Sequence, residues 1–260
     1  AGILIKFAGV QITSMHGFLG IYEIPHYASI ALSFFTIIVI TNSFNLIDGV
    51  DGLAGSLGLL TTFLFGAYFY YIGHIEYAVI AFALSGSLVS FLIYNFSPAK
   101  IFMGDTGSLL LGLINSILVI KFINLSSSPA VALPLSAAPA IGIAILMIPL
   151  FDTLRVFGLR IVDGRSPFSP DRTHVHHFLL DIGFSHRRIT LLCVALNSIF
   201  IGIAVGLRNL GTTSVIGILL VTGLLFIGII YYLRQKNKPV SVNDLVENEV
   251  RKSHKILSFT

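Results

Sequence analysis

Long uncharged apolar runs, separated by short polar breaks, recur along this chain of 260 residues and limit its fold more than any single motif does. Between Tyr27 and Ile47 there is no Asp, Glu, Lys or Arg. About 20 helical residues cross the ~30 Å hydrocarbon core of a bilayer. Runs of that length fall at 27–47, 53–75, 77–95, 107–123, 130–151, 189–207 and 210–233. In lipid only a helix or a closed barrel satisfies every backbone group, and the two-residue alternation of barrel strands is absent. Helices are therefore expected, and the Gly, Ala and Ser within the runs suit close packing of one against another.

A chain that is 55% hydrophobic and 11% charged is no ordinary soluble domain. Its net charge of +4 does not form a face for nucleic acid, because the charges collect in the breaks between runs. The single Cys193 lies inside a run, where it can form no intrachain disulfide and no metal-thiolate set. Residues 1–12 are too short to span, lack a charged leader and cleavage site, and read as the back half of a severed helix. The sequence is therefore expected to begin inside a longer protein.

Counting spans puts the breaks 48–52, 96–106 and 152–188, with the tail from Arg234, on one side. That side holds all of the sixteen Lys and Arg except Lys6, Lys121 and Arg208, which the positive-inside rule makes cytoplasmic. Opposite breaks, including 14–26, read as short turns, with His16, His26 and His74 structural or interfacial. The expected architecture is an all-α polytopic transmembrane bundle over 1–233, with about seven full spans, a partial N-terminal one and cytoplasmic functional loops. A cytoplasmic tail over 234–260 is either a surface helix or poorly ordered.

Three cytoplasmic breaks concentrate polar groups. Asn42–Gly52 (NSFNLIDGVDG) puts two asparagines and two aspartates at the mouth of a span. Carboxylates there are unfavourable unless they hold a cation or meet water and substrate; an ordinary helix end among headgroups is the plainer alternative. In Tyr94–Ser108 (YNFSPAKIFMGDTGS), Pro98 ends a helix and Gly104 and Gly107 permit a tight backbone. Asp105 is thereby presented at a helix start, where backbone N–H groups suit phosphate oxygens. Asp-Thr-Gly also marks aspartic proteases, but those need two such loops in a soluble β fold.

The third break is a long loop, 152–188, with Asp152, Asp163, Asp171, Arg172 and the histidines His174, His176 and His177. Zinc and a structural surface loop are both readings of it. No Cys accompanies the histidines, however, and Arg155, Arg160, Arg165, Arg172, Arg187 and Arg188 around them favour anionic phosphate. Oxygen ligands from Asp and Asn suit Mg²⁺, which completes its octahedron with water and phosphate oxygens. Phosphoryl transfer needs chiefly such positioning and charge neutralisation, and a membrane setting points to a lipid as one substrate.

In order, spacing and membrane side, Asn42–Gly55, Phe102–Ser108 and His174–His177 resemble the polyprenyl-phosphate N-acetylhexosamine-1-phosphate transferases, glycosyltransferase family 4. The resemblance covers roughly residues 1–190. It implies transfer of a phospho-sugar from a UDP-N-acetylhexosamine to polyprenyl (undecaprenyl) phosphate, releasing UMP, with Mg²⁺ or Mn²⁺ in its place. The setting it implies is a bacterial inner membrane at the start of cell-envelope polysaccharide synthesis, such as lipopolysaccharide or teichoic acid. Nucleic acid is no partner, and a homodimer is allowed. His-x-His-His is similar to the N-acetylglucosamine branch; the phospho-N-acetylmuramoyl-pentapeptide transferases, the alternative, usually show consecutive histidines.

Carried over by position, Asn45 and Asp105 match magnesium ligands, and Asp51 a residue that contacts the uracil. Asp48 matches an aspartate important for activity. His174, His176 and His177 match the loop that closes over diphosphate and sugar, with Arg172 beside them as a substrate-binding residue. The resemblance thus implies Asp48, Asp51 and the three histidines as the catalytic set. The family's acidic pair, near the end of an earlier helix, has no counterpart here, so about three helices are expected before Ala1 and the chain alone is expected not to complete the reaction. A cation-coupled transporter, the reading from another class, would place its coordinating groups near the bilayer midplane on broken helices. Polar motifs at helix ends favour an interfacial enzyme.

Overall fold

The computed structural model describes residues 1–164, 166 and 174–236. A short helix α1 (Gly2–Ala8) leads into an antiparallel hairpin, β1 (Ser14–Phe18) and β2 (Ile21–Glu23). Helices α2 (His26–Ile47), α3 (Leu53–Tyr71), α4 (Ile75–Asn95) and α5 (Gly104–Ser126) follow. After them come α6 (Ala138–Ile145), α7 (Met147–Val162), α8 (Val175–Asp181), α9 (His186–Gly206) and α10 (Thr212–Lys236). Among the described residues six helices, α2 to α5, α9 and α10, are long and apolar enough to cross a membrane. The all-α membrane bundle expected from the apolar runs is the fold found.

One close approach positions the polar end of the bundle. A Cβ on Gly112 of α5 would stand 2.7 Å from the Thr41 Cα of α2, so the two backbones touch there, as small residues allow. One turn beyond Thr41 on α2 is Asn45. One turn back from Gly112 on the antiparallel α5 is Ser108, and Asp105 follows a turn later. The glycine contact thus fixes which polar residues meet at the helix ends.

Three expectations need correction. The run 130–151 is not a straight span: α6 and α7 meet at an 86° bend at Leu146. Hydropathy is blind to a break whose freed backbone groups are satisfied from elsewhere. Buried Asn197 of α9 does this, its Nδ2 donating to the Ile145 carbonyl at 2.9 Å and its Oδ1 accepting the Ile148 N–H at 3.0 Å. Nor is 152–188 one long loop. α7 continues to Val162 with Asp152 and Arg160 buried, and α8 and the start of α9 lie in the same stretch. Charged residues looked like a loop, but Asp152 and Arg155 are an i,i+3 ion pair at 2.9 Å on the helix itself. Lastly, 14–26 holds a hairpin rather than a bare turn. It is tied to α10 by Leu19 N–H donating to Thr213 Oγ1 at 2.7 Å and Thr212 Oγ1 donating to the His16 carbonyl at 3.0 Å. α10 also runs three residues past 233, to Lys236; the expectations for residues 237–260 lie outside the described residues.

Candidate functional site at the polar helix ends

At the junction of α2 and α5, Asn45 Nδ2 donates to Asp105 Oδ1 at 3.1 Å and to Ser108 Oγ at 3.0 Å. The two positions matched to a metal, sixty residues apart in sequence, therefore face each other. Asp48 caps the end of α2 and stands near enough to Asp105 to feel its charge. Partial burial, reinforced by that negative neighbour, pushes the Asp48 carboxyl up to about 6. Two carboxylates beside an amide and a hydroxyl gather negative charge in one place, which a hard divalent cation would relieve. Asp48, Asp105 and Asn45 do not close a full coordination shell, which fits an ion that keeps waters and takes substrate phosphates.

Asp51 lies beyond this cluster on the turn between α2 and α3, and faces different partners. Its Oδ2 accepts the Ala99 N–H at 3.2 Å and its Oδ1 lies 3.2 Å from His186 Nδ1. Next to it, Gly52 adopts φ +76°, a left-handed conformation open to glycine, and a Cβ there would meet Phe96 at 3.0 Å. The Gly52 N–H donates to Asn95 Oδ1 at 3.0 Å, and Asn95 Nδ2 in turn donates to the Ile101 carbonyl at 2.8 Å. So the acidic turn, the end of α4 and the loop carrying Asp105 are tied together. The Arg187 guanidinium covers the Phe96 ring at 5.9 Å, adding a cation beside the same turn.

The histidines begin a short helix rather than sitting in an open loop. His174 is the N-cap residue of α8, and its Nδ1 is 2.9 Å from Asp152 Oδ2 in the buried interior; the Val175 N–H also donates to the same carboxylate, at 3.1 Å. His176 stacks flat on His174, with ring centroids 5.7 Å apart, and His177 leans on His176 at 4.3 Å. The His176 ring presses against Gly49, where a Cβ would stand 3.1 Å from its Nε2. This contact brings α8 onto the Asn42–Gly52 segment. Burial, with further contributions from His177, His174 and His186, holds His176 down at about 4, so it is neutral near pH 7. At its far end α8 is anchored by Arg234 of α10, 2.7 Å from Asp181 and 4.3 Å over the Phe178 ring.

The sequence-derived site residues Asn45, Asp48, Asp51, Asp105, His174, His176 and His177 thus collect at one end of the bundle. Arg172 lies outside the described residues, as do Arg165 and Asp171. Arg155, expected to serve phosphate, is instead turned inward on Asp152 and the Phe178 ring. Four participants escaped the sequence reading: Ser108, Asn95, His186 and Thr190, whose Oγ1 donates to the Asp51 carbonyl. Ser108 carried a signal, one turn after Asp105 on the same helix face. His186 and Thr190, at the start of a span and far from Asp51 in sequence, carried none.

Residues 1–123 match the family described as Glycosyl transferase family 4. The chain is 38% identical over 197 residues to the decaprenyl-phosphate N-acetylglucosaminephosphotransferase of Mycobacterium leprae, a match covering 68% of this chain and 47% of that protein. The corresponding Mycolicibacterium smegmatis protein is 37% identical over 197 residues, with 68% and 46% covered. The undecaprenyl-phosphate alpha-N-acetylglucosaminyl 1-phosphate transferase of Escherichia coli O157:H7 is 30% identical over 208 residues, with 76% and 54% covered. The chain therefore spans about half the length of these relatives.

Proposed function

Because the chain belongs to glycosyl transferase family 4, we propose that it forms the donor-binding core of a membrane transferase that moves N-acetylglucosamine 1-phosphate from UDP-N-acetylglucosamine to a polyprenyl phosphate. UMP is the second product, and the polar helix ends face the cytoplasm, where the nucleotide sugar is dissolved. The observation that carries this reading is the convergence of Asn45, Asp105 and Ser108 beside an Asp48 carboxyl raised to about 6. Such a cluster of oxygen ligands calls for a divalent cation.

Mg²⁺, when bound by Asn45 and Asp105, would neutralise charge on the diphosphate as its bridging bond is exchanged. Asp48 adds negative charge to the same cluster and favours the cation. Asp51, on the neighbouring turn, receives the uracil end. His176, neutral and packed on Gly49, and His177 beside it hold the histidine helix against the diphosphate and sugar. An oxygen of the lipid phosphate bonds to the sugar-bearing phosphorus while the bond from that phosphorus to the UMP oxygen breaks. The lipid phosphate is already anionic, so the nucleophile needs positioning more than deprotonation.

The test is transfer of labelled N-acetylglucosamine phosphate to polyprenyl phosphate by membranes containing the native protein, with UMP measured as the co-product. Lipid-linked sugar with equimolar UMP, dependent on Mg²⁺, is the expected result. Release of free sugar phosphate without a lipid product, or cation flux without nucleotide turnover, would overturn the reading.

A further inference from the structure

Asp51 is gripped through both its side chain and its backbone by the first turns of α9. The single nitrogen His186 Nδ1 lies 3.2 Å from Asp51 Oδ1 and 3.3 Å from the Asp51 backbone N–H. One turn along the helix, Thr190 Oγ1 donates to the Asp51 carbonyl at 2.9 Å. A ring nitrogen facing both an acceptor and a donor of one residue engages it in either state. With a proton it donates to the carboxylate; without one it accepts from the N–H. His186 stands on the first turn of a 21-residue helix whose Ser185 cap accepts the Arg188 N–H. Asp51, by contrast, sits on the short non-helical turn between α2 and α3. The partner built into a helix therefore orients the one on the turn.

We propose that His186 is a positioning residue for Asp51, holding its carboxylate in the one orientation that receives the nucleotide, without touching the nucleotide itself. The inference rests on the reading of Asp51 as the uracil-binding residue. Side-chain exposures of 19% for Asp51 and 38% for His186 leave the carboxylate reachable from solvent while it is anchored. Each carboxylate oxygen also keeps a lone pair beyond its present partner. Fixing the acceptor before binding spares the complex the loss of rotamer freedom it would otherwise incur.

The experiment is a double-mutant cycle read as UMP affinity by calorimetry on the purified native protein with Mg²⁺, which needs no turnover. His186→Ala and Asp51→Ala should each weaken UMP binding about tenfold, the loss of one hydrogen bond to a charged group. Adding His186→Ala to Asp51→Ala should change nothing further. His186→Asn, which keeps a polar atom near the Nδ1 position, should recover most of the affinity and serves as the informative variant if alanine impairs folding. Additive losses in the double variant would show that His186 acts independently of Asp51 and would overturn the inference alone. Wild-type UMP affinity in Asp51→Ala would remove the underlying reading of Asp51 and the inference with it.

Discussion

The two acidic centres of this bundle treat their carboxylates in opposite ways. Around Asp152 the chain supplies every counterpart: His174, the Val175 N–H and Arg155 all reach the one buried side chain. Around Asp48 and Asp105 the described residues supply an amide and a hydroxyl but no cation, and two negative groups are left to repel each other. At Asp152 the carboxylate's needs are met within the chain and it serves the scaffold; at Asp48 and Asp105 they are not, which suits something that arrives from outside. Asp152 is thus the fastening of the histidine helix, whereas Asp48 and Asp105 belong to the proposed cation site.

The largest expected effects separate these roles. Asp105→Asn should lower transfer by ~10²–10⁴-fold, the range for loss of a catalytic group, with thermal stability in detergent unchanged. Asp152→Ala should instead lower the unfolding temperature, because removing one member of a buried ion pair costs about 3–5 kcal/mol. Paired measurements of transfer rate and melting temperature check both. Equal melting losses in the two variants would erase the distinction.

Acid should push the two regions in opposite directions. His176 is held at about 4 against an ordinary 6.5, so the unfolded chain takes up its proton first. Its contribution is present above pH 6.5 and is lost as pH falls toward 4, at most ~3 kcal/mol. Asp48 is raised to about 6 from 3.8, so its folded form binds the proton first. That contribution is present below pH 3.8 and is lost as pH rises through 6. Melting curves at stepped pH, without divalent cation, should therefore show Asp48→Asn stabilising the protein above pH 6. His176→Gln should flatten the acid-side loss. A smaller effect is expected for Gly49→Ala, where the new methyl group meets the His176 ring at 3.1 Å. Displacing that ring should destabilise by ~1 kcal/mol, with a parallel loss of transfer, measured by the same pair of assays.

The same contrast explains what the sequence made legible. Apolar runs fixed most of the spans, because crossing lipid is a demand on length and composition alone. Asn45, Asp48 and Asp105 stood out because raw polar groups at a span end have no cheap structural excuse. Matched groups were harder to see. Asp152 and His174 are 22 residues apart and looked like a charged loop until α7 paired them. Asn197 hid inside an apolar run, although it supplies the backbone partners that let α6 and α7 break. His186 carried no signal in the sequence; only the fold brings it to Asp51, 135 residues away. Pairing across such distances leaves no mark on hydropathy or local spacing.

Direct observation of a bound divalent cation tests the central claim, that the unmatched carboxylates await one. Electron paramagnetic resonance of Mn²⁺ added to the purified protein with UMP should give a stoichiometric bound signal in the wild type and in Asp152→Asn. The signal should be lost in Asp105→Asn and weakened in Asp48→Asn. An unchanged bound signal in Asp105→Asn, or its loss in Asp152→Asn alone, would contradict the account and move the cation to the histidine end of the molecule.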